Sequence, residues 1–291
     1  MTAASLILSL NTEQATLENA GGKGANLVRL VRAGFPVPDG FIVSTQAYRD
    51  FVNANALIEK IERTLAHVPT DDLDALESAS FVIRQAFNAG TLPQELAREI
   101  VEAYHRLGQG VVAVRSSATA EDLPGLSFAG QHESLLNVIG EEALMRAIVN
   151  CWASLWTARA ISYRACHSIA HTHVALAVIV QTMVPSEAAG VMFTANPLTG
   201  ARTEIVIEAV PGLGEALVSG QAEPDHYIVD GARKKIVTKM LSAQVLPEAQ
   251  ILELARLGTQ VAEAFGAPQD IEWAWADGKF FLLQARPITT L

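Results

Sequence analysis

Residues 270–286 read DIEWAWADGKFFLLQAR, two apolar-rich runs on either side of Asp277-Gly278. Aromatic residues in runs this short fit strands, and an Asp-Gly between them signals a hairpin. A two-residue type I′ turn would pair Ala276 with Lys279. That register sets Glu272 on the face opposite Gln284 and mixes polar and apolar side chains on both faces. A three-residue loop, Ala276 to Gly278 with Gly278 left-handed in a bulge, pairs Trp275 with Lys279 instead. Asp270, Glu272, Gln284 and Arg286 then share one face, with Phe280 and Leu282 nearer the turn. Ile271, Trp273, Trp275, Phe281, Leu283 and Ala285 share the other. A one-residue slip exchanges the faces, so burial favours the second register and the three-residue loop is expected.

Outward from this hairpin, a helix opening at Pro247 is punctuated by Phe265-Gly266 and Pro268. Strands are expected at 175–180, 188–194 and 204–209. A long helix is expected over 141–166, with Glu141 and Glu142 at its positive end and Leu144, Ile148, Cys151 and Leu155 on its inner stripe. Before it, Val111 to Arg115 reads as a buried strand running into a polar loop, Ser116 to Gly130, and HESLLNV (132–138) as the next strand. The first ten residues suggest a strand, and Gly21-Gly22-Lys23-Gly24 opens a helical stretch that stops at Gly34. The strand FIVS (41–44) and a helix capped by Thr45 follow, and then helices from 57 to 107 broken at Thr91-Leu92-Pro93. Antiparallel hairpins without a βαβ alternation point to α+β, divided near residue 180 into 1–180 and 181–291, and away from a Rossmann domain.

The chain has 291 residues, half of them hydrophobic and 18% charged, a composition that folds rather than stays disordered. Its net charge of −10 argues against broad nucleic-acid or anionic-membrane binding. No apolar run reaches the roughly 20 residues of a membrane span, and the N-terminus lacks the basic flank of a signal peptide, so the cytoplasm is the expectation. Two cysteines, Cys151 and Cys166, make neither a disulfide framework nor a four-cysteine metal site and read as buried thiols. His171 and His173 read as a solvated loop.

Four groups could carry chemistry. Lys23 sits in a glycine turn at a helix start, where free N–H groups can face a phosphate, although such a turn is often only a turn. Arg115 ends a strand before three hydroxyls and a glycine-containing loop, which could grip phosphates or lie on the surface. Asp270 and Glu272, two apart on a strand, share a face and with Gln284 offer oxygen to a hard divalent ion, or form the polar side of a half-exposed strand. Gly212-Leu213-Gly214-Glu215 could be another backbone approach to a ligand, or a plain turn.

Together with their neighbours these stretches resemble the N-terminal ATP-binding domain of the pyruvate phosphate dikinase family, which includes phosphoenolpyruvate synthase and rifampin phosphotransferase. The matching segments are GGKGANL (21–27), VPDGFIVST (37–45), VRSSATAEDLPGLSFAGQHESLLNV (114–138), CWASLWTARAISYR (151–164), GVMFTANP (190–197), GLGEALVSG (212–220), and DIEWAW (270–275) with LLQARPITTL (282–291). They lie in the family's order along nearly the whole chain, and the serine-rich loop and ARPITTL look most like rifampin phosphotransferase. The resemblance implies an ATP-grasp-like fold with ATP between two α+β subdomains. It implies phosphate contacts from Lys23, Arg115 and Arg286, adenine at the hinge Gln181, Thr182, Met183 and Val184, and ribose at Glu187. Asp270, Glu272 and Gln284 would form the Mg²⁺ side. The loop 119–130 and the Gly21–Gly24 turn would be mobile until a phosphate chain orders them.

In that family a histidine on a swivelling domain takes the phosphoryl group and delivers it to an acceptor bound on a further domain. None of the seven histidines here sits in the glycine- and threonine-rich context of that residue. The resemblance therefore implies a partner, the phosphohistidine and acceptor domains, either on the full-length chain or on another subunit, as in phenylphosphate synthase. A module that senses ATP without turnover is the non-enzymatic alternative, and the presence of Lys23, Arg115 and Glu272 speaks against it.

Overall fold

A computed structural model describes residues 5–119, 134–167, 169–171, 174–218 and 220–289. The fold is α+β. It divides into two compact units, residues 1–25 with 39–183, and residues 26–38 with 184–291. Helix α1 (Leu17–Arg32) crosses the division and is interrupted by non-helical backbone at Gly21.

The first unit holds an antiparallel sheet of five strands: β1 (Ile7–Ser9), β2 (Gly40–Val43), β3 (Val112–Ala118), β4 (Ser134–Val138) and β5 (Leu176–Thr182), in the order β1-β2-β5-β3-β4. Helices α2 (Thr45–Ala54), α3 (Leu57–Leu65), α4 (Leu73–Asn88), α5 (Gln94–Arg106), α6 (Glu141–Ser154) and α7 (Ala158–Cys166) complete its core. Phe51, Phe87, Trp152 and Trp156 pack as tilted rings within it.

The expected long helix is two helices. Thr157 caps α7 by accepting from the Ala160 N–H at 3.3 Å, and the Leu155 carbonyl accepts from Arg164 rather than continuing the helical ladder. Leu144, Ile148 and Cys151 are buried as expected, whereas Cys166 is exposed. Thr45 does not cap α2. Its hydroxyl donates to the Glu18 carbonyl at 2.8 Å, and Ser44 is the cap residue.

The second unit holds an antiparallel sheet of six strands: β6 (Ala188–Phe193), β7 (Glu204–Pro211), β8 (Asp225–Asp230), β9 (Lys235–Met240), β10 (Gln269–Ala276) and β11 (Lys279–Pro287), in the order β11-β10-β6-β7-β8-β9. The short helix α8 (Glu215–Val218) follows β7, and α9 (Glu248–Phe265) packs on the sheet, burying Ile251, Leu254 and Val261. Asp225 is fully buried, and its carboxylate accepts from the N–H groups of Ser242, Ala243, Gln244 and Val245 at 2.5–3.1 Å.

The hairpin corrects the expected loop. Asp277 (φ 50°) and Gly278 (φ 72°) are both left-handed, and Ala276 pairs with Lys279 in a two-residue turn. A bulge between Glu272 and Trp273 then leaves Leu283 as an extra residue on β11. Phe280 and Leu282 consequently join Trp273 and Ile271 in the buried core. Phe281 and Leu283 lie with Ala274, Ala276, Val184 and Ala189 in a small cluster on the other face. Beyond the bulge Glu272 pairs with Gln284 and Asp270 with Arg286, so those four do share a face.

Candidate functional site

In the first unit the glycine turn and β3 are interlocked. Gly21 adopts φ 68°, ψ 174°, a conformation open essentially only to glycine, and a Cβ there would lie 2.2 Å from the Ser117 carbonyl oxygen. The Ser117 hydroxyl donates to the Ala20 carbonyl at 2.7 Å and accepts from the Gly24 N–H at 3.0 Å. This holds Lys23 against the strand, where its Nζ donates to the Ser116 carbonyl at 3.5 Å, one residue along from Arg115. Arg115, half-buried, sits opposite Ile179 of β5 and Ser134 of β4.

One expectation changes here. Ser116 and Ser117 belong to β3 and are fully buried rather than opening a loop, and the Ser117 hydroxyl is committed to the fold. The Gly21–Gly24 turn is tied to β3 through the Ser117 hydroxyl. Most of the loop expected to cover phosphates, residues 120–130, lies outside the described residues.

At the far end of the same sheet Gln181 is buried on β5 between Gly40 and Ala113. The Thr182 N–H donates to Asp39 and the Met183 N–H to Val111, at 2.8 and 2.9 Å. Those two N–H groups are therefore committed to the fold.

In the second unit Val184 is buried in the small cluster with Ala189 and Ala274. The Glu187 backbone bonds Trp275 and Gly212, and its carboxylate accepts from the Asp277 N–H at 3.1 Å, which ties it to the hairpin turn. The glycine segment at 212–214 is part of the same arrangement, because the Gly212 carbonyl accepts from the Ser186 hydroxyl at 2.9 Å.

The hairpin's polar end gathers Asp270, Glu272, Gln284 and Arg286. Arg286 Nε and Nη2 both donate to Asp270 Oδ2 at 2.8 Å. Burial pushes the Asp270 carboxyl above its ordinary range and the Glu272 charge adds to that, while Arg286 opposes both. Among the described residues no three His, Cys, Asp or Glu side chains gather into a metal site. Two carboxylates and an amide oxygen are nevertheless hard donors that fit Mg²⁺, which keeps several waters and commonly shares a phosphate ligand.

Sequence reasoning missed a group in the first unit. His171, expected in solvent, is half-buried. Its Nδ1 accepts from Arg164 Nε at 3.1 Å and its ring packs near Trp156. His173 lies outside the described residues. No helix among the described residues is long and apolar enough to cross a membrane.

The chain matches the family described as "Pyruvate phosphate dikinase, AMP/ATP-binding domain" over residues 17–245 and 235–291. It is 44% identical to the probable phosphoenolpyruvate synthase of Methanocaldococcus jannaschii, over 94% of this chain and 26% of that protein. It is 41% identical to the phosphoenolpyruvate synthase of Pyrococcus furiosus, over 93% of this chain and 42% of that protein. With the rifampicin phosphotransferase of Bacillus subtilis it shares 40% identity, over 99% of this chain and 36% of that protein. The chain thus spans well under half the length of these relatives. A D-alanine–D-alanine ligase from Helicobacter pylori aligns with 93% of this chain and 52% of its own at 9% identity and a TM-score of 0.36, too remote a likeness to carry an argument.

Proposed function

Because this chain belongs to the pyruvate phosphate dikinase family through its AMP/ATP-binding domain, we propose that it is the ATP-binding catalytic component of a dikinase-type phosphotransferase. In this reading a phosphoryl group passes from Mg-ATP to a histidine on a separate swivelling domain or subunit, with ATP becoming AMP and phosphate overall. The chain is read as an ATP-grasp-like fold of two α+β subdomains, 1–180 and 181–291, and the protein as cytoplasmic. The phosphohistidine and acceptor domains are assigned to parts beyond the stretch shared with the relatives.

One observation carries the proposal. On one face of a hairpin, Asp270 pairs with Arg286 and Glu272 with Gln284. That face supplies carboxylates for Mg²⁺ and a guanidinium for a phosphate oxygen. Mg²⁺, when bound, supplies neutralisation of developing phosphate charge. Asp270 and Glu272 would hold it with Gln284, and Arg286, shared with Asp270, would orient a phosphate. Lys23 and Arg115 would bind and neutralise further phosphate oxygens, each charge-assisted contact being worth about 1.5–3 kcal/mol. Gln181, Met183 and Val184 would position the base, and Glu187 would reach the ribose from its place at the hairpin turn.

The test is calorimetry with Mg-ATP alongside ³²P transfer to a separately supplied histidine domain. The chain should bind Mg-ATP and label that domain, yet phosphorylate no pyruvate, phenol or rifampin on its own. Glu272→Gln should fold normally and lose Mg²⁺-dependent transfer. Efficient acceptor phosphorylation by the chain alone, or near-normal transfer by Glu272→Gln, would refute the reading.

A further inference from the structure

The first unit carries a cavity of about 230 Å³ between α2, α3 and the segment around 156–174. This is below the roughly 300–1,000 Å³ of pockets that take drug-sized ligands, so it suits a smaller molecule. Its buried wall is apolar and aromatic, made by Tyr48, Val52, Ile61 and Trp156, and Arg49 and His171 stand at its polar side. Among the described residues no carboxylate lines it, in a chain whose net charge is −10.

Arg164 stands next to this cavity, 2% exposed. Its Nη1 donates to the Leu155 carbonyl at 2.7 Å, its Nε donates to His171 Nδ1, and its guanidinium lies over the Trp156 ring at 4.9 Å. Nη2 has no acceptor among the described residues. Burial lowers the Arg164 pKa to about 10, and the neighbouring Tyr48 opposes that fall. It is therefore a cation at neutral pH, buried with no carboxylate against it among the described residues, which is costly unless an anion comes near.

Beside the Asn53 amide, which can donate or accept, the cavity's polar side presents donors. With Nδ1 accepting from a permanent donor, His171 is a neutral imidazole carrying its proton on Nε2. Burial first, and the Arg164 charge second, hold its pKa below the usual histidine value, so it stays neutral. The Tyr48 hydroxyl accepts from Trp156 Nε1 at 3.3 Å, which leaves its own proton to donate. Arg49 adds an exposed guanidinium at the rim.

We propose that this cavity is a second ligand site, which takes a small organic carboxylate with an apolar or aromatic body. The body rests on Tyr48, Val52, Ile61 and Trp156. The carboxylate accepts from the His171 and Tyr48 donors and from Arg49, in the field of Arg164. The site lies wholly within the first unit and uses none of the residues assigned to ATP, so it stands or falls independently of the proposed function.

The experiment is ligand-observed NMR and calorimetry on the intact chain, with benzoate as probe and benzyl alcohol as its uncharged counterpart. Benzoate should bind saturably, and benzyl alcohol roughly tenfold or more weakly, as expected for loss of a charge-assisted contact. Arg49→Gln, at an exposed position that does not threaten the fold, should weaken benzoate by a similar factor. The His171 Nε2 resonance should shift on benzoate addition in the unmodified chain. No saturable binding, equal binding of the alcohol, or binding indifferent to Arg49→Gln with an unmoved His171 resonance would each overturn the assignment.

Discussion

Replacing Gly21 with alanine tests the interlock that holds Lys23 beside Arg115. Gly21 lies at φ 68°, ψ 174°, and a residue with a Cβ held there costs about 1–3 kcal/mol in backbone strain. The added Cβ would also fall 2.2 Å from the Ser117 carbonyl oxygen and 2.4 Å from its hydroxyl. The carbonyl is backbone of a strand paired to β5, so it cannot turn aside as a flexible side chain would. Relief requires moving the turn away and breaking the two bonds made by the Ser117 hydroxyl, which are worth about 0.5–1.5 kcal/mol each. The expected destabilisation is therefore about 2–6 kcal/mol.

Gly108 is the control within the same unit. It is also left-handed, at φ 80°, but nothing lies within 4 Å of the Cβ position. Gly108→Ala should carry only the left-handed penalty of about 1–2 kcal/mol. Urea unfolding followed through Trp152 and Trp156, both buried in this unit, measures the two variants on one transition. If Gly21→Ala proves no less stable than Gly108→Ala, the close approach to Ser117 is wrong, and so is this account of how Lys23 is placed.

Other perturbations address the second unit. Asp225→Asn should cost about 3 kcal/mol or more, since four N–H groups lose a buried, charged acceptor. Burial pushes the Asp225 carboxyl up, but the four N–H bonds outweigh it and hold the pKa below the usual value. Its stabilisation should be complete above the unfolded-state pKa of about 3.9 and fade as pH falls through the folded value, so the gap between the two proteins in unfolding free energy should close only in acid. Arg286→Met removes the cation that opposes burial and Glu272, so Asp270 should titrate higher than in the parent chain, as read from side-chain ¹³C shifts; an unchanged or lower value refutes the pairing. Deleting Leu283 should remove the bulge while leaving Gln284 opposite Glu272, so the variant should stay folded by circular dichroism, whereas deleting Gly278 should destroy the two-residue turn and unfold the hairpin.

The elements readable from sequence are those whose burial is one-sided or complete. Strand β5 opens on an unbroken apolar run, residues 176–180, and is buried along nearly its whole length, and α9 carries its stop signals in Gly266 and Pro268. Strands β8 and β9 were not anticipated. Strand β9 is the sheet's edge and mostly exposed, and Lys235 and Lys239 break the apolar alternation that would announce it while discouraging pairing with other chains. The division of the 141–166 helix was hidden because the alternative to the ladder is tertiary: the Leu155 carbonyl is taken by an arginine nine residues on. The same arginine draws His171 inward, against the local polarity that suggested solvent.

The candidate site shows a different limit, in the hairpin itself. Face-sharing by Asp270, Glu272, Gln284 and Arg286 was expected on the premise that one face of the hairpin is apolar and the other polar along its whole length. The structure places the four together, but the premise holds only at the end far from the turn. Near the turn both faces are covered, one by the main core with Trp273 and Leu282, the other by Val184 and Ala189 against Ala274 and Ala276. With both faces apolar there, alternation no longer distinguishes the registers, and turn chemistry decides: Asp-Gly takes the two-residue turn with both residues left-handed. That turn alone would set Leu283 opposite Glu272. The bulge absorbs Leu283 into the small cluster and passes Gln284 to the polar face, so turn geometry and the carboxylate–amide pairing are both satisfied at the expense of one irregular residue. Such a bulge is invisible to a periodicity count, because the residue it displaces is as apolar as the core residues beside it.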